Sequence, residues 1–201
     1  MSHSSVRNSV AVGTTDARGG AIAAIEPTEL VEMASESNGF RPTATAISPD
    51  GTLIVSASQL MNGLSNGTIK VWDAALNLIT EEQNEHTSGI SSVGFSPDGT
   101  KIVSGGSQGN NGVIKLWDAV LNLITDVQLA AQVDSVDFSP DGTKIVCAGW
   151  HKDDWTWDSS LALGTIKVWD ATPAFITNKL NAHERFHERS CIFSPDGTKI
   201  V

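Results

Sequence analysis

The residues with the clearest catalytic spacing lie near the end of the chain, in the segment HERFH at residues 183–187. Two histidines four positions apart, with a glutamate next to the first, form the pattern H-E-x-x-H. On a helix this spacing places both imidazoles on one face, where they bind Zn²⁺ while the glutamate activates the metal-bound water. A hydrolase of this kind also needs a third metal ligand. The interpretation therefore depends on the element that carries the segment.

The elements around this segment come from an internal repeat of about 45 residues. Two signatures alternate along the chain: the turn-like S-P-D-G-T and a strand-like sequence that ends in Trp-Asp. The first begins at Ser48, Ser96, Ser139 and Ser194, and the second ends at Asp73, Asp118 and Asp170. Because the order never changes, the chain is a tandem array, and residues 183–187 lie at a junction between two units.

Each unit reads as four short strands. The first strand, S-V-G-F at 92–95 or V-D-F at 136–138, has apolar residues at alternate positions, the period of a strand with two different faces. S-P-D-G then fits a β-turn, because Pro presets φ, Asp bonds its own backbone and Gly accepts positive φ. The segments at 101–104, 114–117 and 121–125 complete the unit. No long stretch has helical periodicity, so the sequence predicts an all-β chain.

On these signatures the chain resembles the WD40 (WD-repeat) β-propeller family, whose blades are four-stranded antiparallel sheets. The resemblance covers residues 20–201, with blade ends near 73, 118 and 170 and the last blade truncated. It implies an all-β propeller that forms an incomplete ring, and a non-catalytic scaffold for protein–protein interaction. Residues 1–19 are expected to be a disordered or degenerate N-terminal segment.

The N-terminal segment also aligns with the repeat. When the chain is shifted by 48 residues, 19–40 lies beneath 67–88 without a gap, so residues 20–33 resemble the third and fourth strands of a degenerate blade. The strands then add up to four blades. Three arrangements stay open: a fragment of a longer propeller, a closed four-bladed ring and an assembly of several chains. Open blade edges also favour self-association, and a truncated propeller fragment without independent function is the alternative to a scaffold.

In the WD40 family four side chains often tie a blade together: a His before the first strand, a Ser or Thr on the second, an Asp in the next turn and the Trp of the third. The resemblance assigns these places to His86, Ser104, Asn111 and Trp117, with Asn111 replacing the Asp. Such a set satisfies buried polar groups in one network. Its expected role is therefore structural and not catalytic.

The neighbouring units match this set less well. Trp72 and Trp169 hold the Trp position, but in the third unit Ala131 replaces the His and Cys147 replaces the Ser. We therefore expect packing alone to hold that blade. Solvated positions on the strands are expected for the lysines that recur before Trp-Asp, namely Lys70, Lys115 and Lys167.

The longest insertion, GWHKDDWTWDSSLALG at 149–164, lies on the rim where we expect the loops between blades. Tryptophan is costly to expose and is enriched at binding hot spots, and loops on a rigid scaffold commonly carry recognition. We interpret the insertion as a partner-binding loop. The alternatives are tryptophans that fold back over the rim, a decayed repeat or a gene-model error. The candidate binding residues are Trp150, Asp153, Asp154, Trp155 and Trp157.

Composition restricts the remaining functions. The net charge of −10 disfavours a nucleic-acid partner, and no apolar run is long enough for a membrane helix. Two cysteines without metal spacing make no disulfide framework, which indicates an intracellular protein, cytoplasmic or nuclear. The carboxylates of the insertion lack the alternation of a calcium loop, and no phosphate-binding glycine motif is present. The sequence thus predicts other proteins or peptides as partners, and no metal or cofactor.

The repeat also decides how residues 183–187 are interpreted. His183 follows Asp170 by 13 positions, as His86 follows Asp73. It therefore holds the pre-strand His position, in a loop between blades where no helix is expected, and no third zinc ligand is evident after it. A zinc hydrolase using the HERFH motif stays a remote alternative, and we predict that the chain is not an enzyme.

Overall fold

The structure is a computed structural model and describes residues 40–60, 67–109, 111–152, 162–171, 175–180 and 190–201. These ranges contain strands and turns and no helix, which confirms the predicted all-β class. The described part accordingly holds no helix long and apolar enough to cross a membrane. The strands are β1 Phe40–Ile47, β2 Leu53–Leu60, β3 Gly67–Asp73, β4 Leu78–His86, β5 Ile90–Phe95, β6 Lys101–Gln108, β7 Asn111–Asp118, β8 Leu123–Leu129, β9 Gln132–Phe138, β10 Lys144–Lys152, β11 Ala162–Asp170 and β12 Phe175–Leu180.

The strands form three antiparallel sheets, each a meander of four consecutive strands. We call β1–β4 blade 1, β5–β8 blade 2 and β9–β12 blade 3. The first strands β1, β5 and β9 are the inner strands, where neighbouring blades touch. Residues 190–201, here called the fourth unit, begin a further blade with a bridge between Phe193 and Ile200.

The S-P-D-G-T turns form because one aspartate satisfies the polar groups around it. In blade 2, Asp98 Oδ1 accepts hydrogen bonds from the Ser96 hydroxyl (2.6 Å), the Thr100 N–H (3.0 Å) and the Thr100 hydroxyl (2.9 Å). Gly99 takes φ +72°, a conformation that favours glycine. The same bonds recur at Asp50, Asp141 and Asp196. The turn is thus specified locally and repeats without depending on the rest of the blade.

The turn after Trp-Asp contains a backbone exception. Asp118 Oδ1 accepts hydrogen bonds from the N–H groups of Val120 (3.0 Å) and Asn122 (2.9 Å), and between them Leu121 adopts φ 64°. A leucine is strained at this φ. Its side chain is only 3% exposed and packs in the core between blades 1 and 2, so burial of the side chain offsets the backbone strain. Leu76 repeats this conformation in blade 1.

The core lies between the blades, because each sheet buries one face against the next sheet. Strands β2 and β3 of blade 1 pack on Trp117 and its neighbours in blade 2, and strands β6 and β7 of blade 2 pack on Trp169 and its neighbours in blade 3. Blade 3 packs in the same way on Cys191 and Phe193 of the fourth unit. Stability is therefore shared between neighbouring units, as in other repeat architectures.

Serine side chains also join consecutive inner strands. The Ser92 hydroxyl accepts a hydrogen bond from the Val136 N–H (3.1 Å) and donates one to the Val136 carbonyl (3.3 Å). Ser135 makes the same two contacts with Cys191, at 3.4 and 3.5 Å. Blade 1 has Ala44 at the equivalent position, so this serine bridge belongs to the later junctions.

Candidate functional site

The candidate binding loop emerges from a rim that the structure organises by hydrogen bonds. At this rim the loop between blades 1 and 2 meets the β6–β7 turn: the Ser88 N–H donates to the Ser107 carbonyl (3.0 Å), and the Gly109 N–H donates to the Ser88 hydroxyl (3.0 Å). The Ser107 hydroxyl in turn donates to Gln132 Oε1 at the start of blade 3. We call this edge the loop rim, because the inter-blade loops and the loops between second and third strands lie together here, as expected.

Blade 3 carries its insertion on an extended hairpin at the loop rim. Strand β10 pairs with β11 as far as Lys152 opposite Ala162. On its other side β10 pairs with β9, where Trp150 lies opposite Gln132. Gly149 precedes it because a Cβ there would lie 1.8 Å from the Gln132 carbonyl oxygen. The backbone that presents the insertion is therefore a fixed part of the sheet.

Only one of the five candidate binding residues falls in a described element. Trp150 lies in β10, two positions before Lys152, where the pairing with β11 ends. Asp153, Asp154, Trp155 and Trp157 belong to residues 153–161, which lie outside the described residues. The predicted loop is therefore located by the hairpin that supports it, and its binding role stays a prediction.

Blade 2 contains a buried chain of hydrogen bonds behind the loop rim. The Trp117 indole N–H donates to Ser104 Oγ (2.9 Å), and Ser104 Oγ lies 2.9 Å from His86 Nε2. His86 and Ser104 are fully buried and Trp117 is 1% exposed. Since Ser104 accepts from the indole, its own proton is free to go to His86 Nε2, which places the ring proton on Nδ1. Within the described residues, Nδ1 has no hydrogen-bond partner.

Burial keeps His86 neutral. Removal from water lowers the pKa of His86 to about 3, and the nearby Lys115 ammonium lowers it in the same direction. A group of this kind does not exchange protons near neutral pH, so it is unsuited to acid–base catalysis there. The structural role that the sequence predicts for His86 therefore has no competing acid–base role near neutral pH, and it stays a prediction.

Asn111 lies apart from the three buried members of the predicted set. It is the first residue of β7, opposite Gln108, and its side chain is exposed. Two of the four residues are thus bonded to Ser104, and the fourth lies at the loop rim. The amide at this position does not share the burial of His86.

Blades 1 and 3 have shorter versions of this chain. In blade 1 the Trp72 indole donates to Ser56 Oγ (2.8 Å), and Asn38, which takes the His place, lies outside the described residues. In blade 3 burial raises the pKa of the Cys147 thiol to about 11, although the Trp169 indole beside the thiol lowers it. Such a thiol stays protonated and unreactive.

The expectation of solvated lysines is wrong for Lys115. Its side chain is 7% exposed, and Nζ lies 5.6 Å from the centre of the Trp117 ring. In blade 1 the equivalent Lys70 is more exposed, with Nζ 3.2 Å from Glu81 Oε2 and 5.5 Å from the Trp72 ring. In both blades the lysine ammonium lies over the indole ring, and in blade 1 it also pairs with Glu81. A lysine recurs two positions before each of these tryptophans, and this recurrence was the sequence signal that could have predicted the contact between lysine and indole.

The described residues form no candidate metal centre, and they line a small apolar hollow. There, no three His, Cys, Asp or Glu side chains come together to bind a metal ion. The residues 183–187 of the HERFH motif lie outside the described ranges. An apolar hollow of about 20 Å³ lies between blades 2 and 3 beside Trp169. This is far below the volume of about 300 Å³ at which small-molecule sites begin.

The meander sheets, packed face to face around inner strands, are blades of a β-propeller, and they carry the Trp-Asp and S-P-D-G signatures at fixed places. The family model "WD domain, G-beta repeat" matches residues 37–73 and 79–118, so these two stretches are WD40 repeats. The predicted family and fold class are thereby confirmed.

Individual relatives share short stretches with this chain. Periodic tryptophan protein 2 homolog of Caenorhabditis elegans is 30% identical over 81 residues, which are 40% of this chain and 8% of the relative. Protein groucho of Drosophila melanogaster is 32% identical over 80 residues, 40% of this chain and 10% of the relative. The chain thus spans a tenth or less of the length of these relatives.

A solved structure supports the fold alone. A crystal structure titled as the eukaryotic initiation factor superposes with a TM-score of 0.54 at 20% identity, covering 73% of this chain and 34% of that chain.

Proposed function

We propose that the chain is a non-catalytic scaffold that binds other proteins or peptides through the insertion between β10 and β11. The observation that carries this proposal is the difference between two hairpins at the loop rim. In blade 2 the strands end at the pair Gln108 and Asn111, with two residues between them. In blade 3 they end at the pair Lys152 and Ala162, with nine residues, 153–161, between them. The same scaffold position thus carries a much longer segment.

The composition of this segment favours recognition of a peptide. Trp155 and Trp157 offer large flat surfaces, and Asp153, Asp154 and Asp158 add negative charge on either side of this pair in the sequence. Tryptophans next to carboxylates suit a segment with a basic side chain, because the ring face and the carboxylate both attract the cation. We therefore expect bound peptides to carry Lys or Arg beside an apolar residue.

A display experiment tests this proposal. The intact chain is used to select binders from a phage-displayed library of short random peptides. The enriched peptides are then measured against a variant in which residues 153–161 are replaced by Asn-Gly, and against Trp155→Ala with Trp157→Ala. We expect loss of at least about 2 kcal/mol of binding free energy, the size of a hot-spot contact, at unchanged β-sheet circular dichroism.

The matched control is the loop at 61–66 of blade 1, which connects the same two strands of a different blade. Its replacement by Asn-Gly should leave peptide binding unchanged. If no peptide is enriched by the intact chain, the alternative of a propeller fragment without independent function is favoured. Zinc analysis of the purified chain and of His183→Ala separately tests the hydrolase alternative.

A further inference from the structure

The rim opposite the loop rim is formed by turns, and we call it the turn rim. Within blade 1 the S-P-D-G turn and the turn after Trp-Asp meet there, because Leu53 at the start of β2 pairs with Asp73 at the end of β3. Neighbouring blades also touch there: a Cβ on Gly99 would lie 3.7 Å from Cδ of Pro49 in the preceding turn. The turn rim is therefore a continuous surface made from the same residues of successive repeats.

The large apolar side chains that are exposed in blades 1 and 2 lie along the turn rim. Among the side chains described in these two blades, those that are 45% to 54% exposed are Leu78 and Ile79 at the start of β4, and Val120, Leu123 and Ile124 at the start of β8. We call these two sets the apolar corners. Toward the loop rim the exposed side chains described in the same strands are polar, namely Gln83, Asp126 and Gln128.

The apolar corners take no part in the cores between the described blades. Successive residues of a strand point to opposite faces of its sheet. Because both Leu123 and Ile124 are exposed, no described residue of a neighbouring blade covers either face at this end of β8. By contrast, Leu121 just before them is buried between blades. A contiguous apolar patch with a polar border is typical of an interaction surface.

Carboxylates border the apolar corners. The turn segments 48–53, 73–78, 96–101 and 118–123 contain four aspartates and one lysine, which are Asp50, Asp73, Asp98, Asp118 and Lys101. Hydrogen bonds from Ser96 and Thr100 lower the pKa of Asp98 to about 2, and bonds from Asn122 lower the pKa of Asp118 below its ordinary value. These groups stay ionised near neutral pH, so the turn rim of blades 1 and 2 is negative where it is also apolar.

We propose that the turn rim of blades 1 and 2 binds a peptide segment of a partner protein that combines apolar side chains with lysine or arginine. The apolar side chains pack on the apolar corners, and the cations lie beside the turn carboxylates. A second copy of the chain brings the same carboxylates to the contact, where like charges repel. An anionic membrane surface is disfavoured for the same reason. This surface lies opposite the insertion of blade 3, and the inference goes beyond the proposed function.

Fluorescence anisotropy tests the proposal with the intact chain. The probe is a labelled short peptide built only of leucine and lysine, and the reference peptide has glutamate in place of each lysine. We expect the lysine peptide to bind at least about tenfold more tightly than the glutamate peptide, because the turn carboxylates repel the second. The difference should shrink at high salt, which screens exposed charges.

Paired serine substitutions locate the binding surface. Leu123→Ser with Ile124→Ser should weaken binding of the lysine peptide at least about tenfold, because apolar contacts are lost while every carboxylate is retained. Leu78→Ser with Ile79→Ser should act in the same direction at the corner of blade 1. The matched control is Gln128→Ser, at an exposed position toward the other end of β8, which should leave the affinity unchanged. The β-sheet circular dichroism should stay the same in each variant, because all these side chains are exposed.

Three results overturn the proposal. Equal binding by the parent chain and the variant with Leu123→Ser and Ile124→Ser shows that charge alone attracts the peptide. Loss of binding when residues 153–161 are replaced by Asn-Gly assigns the peptide to the loop rim, whereas unchanged binding in that variant separates this surface from the proposed function. A smaller oligomer in the serine variants than in the parent chain, measured by light scattering, assigns the apolar corners to a second copy.

Discussion

Blades 2 and 3 use the same fold with different interiors. In blade 2, Ser104 connects the Trp117 indole to His86 through two buried hydrogen bonds of 2.9 Å. In blade 3 the same three places hold Cys147, Trp169 and Ala131, with a buried thiol where blade 2 has a hydroxyl and no imidazole. Both interiors are closed to water. A buried polar network is thus one solution to blade packing, and its apolar replacement is another.

The two interiors should differ in how much stability is lost when one of the three side chains is removed. In blade 2 each polar group has been removed from water and depends on its neighbour, so loss of one member leaves the others buried and unpaired. In blade 3 little polar surface is buried, and loss of one member leaves a small cavity. Substitutions at equivalent positions of the two blades should therefore differ in their cost.

The largest effect is expected for Ser104→Ala. It removes the partner of both Trp117 Nε1 and His86 Nε2, and an unpaired buried group costs about 1–3 kcal/mol. We expect the free energy of unfolding to fall by about 3 kcal/mol. Cys147→Ala in blade 3 should cost about 1 kcal/mol, a typical value for a single substitution. Urea unfolding followed by tryptophan fluorescence measures both, and equal losses would contradict the contrast between the blades.

Acid should destabilise blade 2 through His86. Its pKa in the folded state is about 3, against an ordinary value of 6.5. Between these two pH values the unfolded chain binds a proton at His86 and the folded chain does not. Stability is complete above pH 6.5 and is lost as the pH falls from there toward 3. At pH 5 the loss should reach about 2 kcal/mol.

The matched variant for this titration is His86→Ala, which gives blade 2 the residue that blade 3 has at Ala131. Its unfolding free energy should depend less on pH between 6.5 and 4. The turn carboxylates do not affect the comparison, because both proteins carry them. Hydrogen bonds from Ser96 and Thr100 lower the pKa of Asp98 from 3.8 to about 2, and Asp141 has the same value for the same reason, so their titration lies mainly below this pH range. Parallel pH curves for the two proteins would show that His86 does not cause the acid loss.

The hydrogen bonds of Ser92 and Ser135 allow the contacts between consecutive blades to be compared. Ser92→Ala removes contacts of 3.1 and 3.3 Å to Val136, and Ser135→Ala removes contacts of 3.4 and 3.5 Å to Cys191. We expect Ser92→Ala to cost about 1 kcal/mol, the net value of an ordinary hydrogen bond, and Ser135→Ala to cost less. Ala44 shows that the fold accepts alanine here. A lower urea midpoint for Ser135→Ala than for Ser92→Ala would contradict the idea that the shorter hydrogen bonds make the stronger junction.

The parts of the molecule that sequence could predict are those that neighbouring residues determine. The turn at Ser96–Gly99 follows from one aspartate and one glycine, and it repeats wherever the five letters repeat. Lys115 shows the limit: Lys70 has similar neighbours in sequence, with Ile before it and Trp two positions after it, yet the two lysines differ in burial. Burial depends on the blade that packs alongside. The Ser92 bridge was also missed, since its partner Val136 lies 44 residues away and no local pattern signals it.

For the candidate site, too, the sequence predicted the positions along the fold but not the exposure of individual side chains. The alternation of strands was enough to place the insertion of blade 3 on the loop rim and His86 before the first strand of blade 2. The exposure of Asn111 was not predictable, because the position of a side chain at the end of a hairpin depends on how far the strands stay paired. In blade 3 the pairing continues one step further, to Lys152 and Ala162.

The smallest effect is expected where blade 3 is changed toward blade 2. Cys147→Ser gives the Trp169 indole a hydroxyl to donate to, but with Ala131 in place of histidine the new O–H has no imidazole to accept its proton. The gain and the loss should nearly cancel, leaving the unfolding free energy within about 0.5 kcal/mol of the parent. Adding Ala131→His supplies the acceptor, so the double variant should be more stable than the sum of the two single variants. A strictly additive cycle would show that the imidazole and the hydroxyl do not act together, and that the blade 2 network is a set of independent contacts.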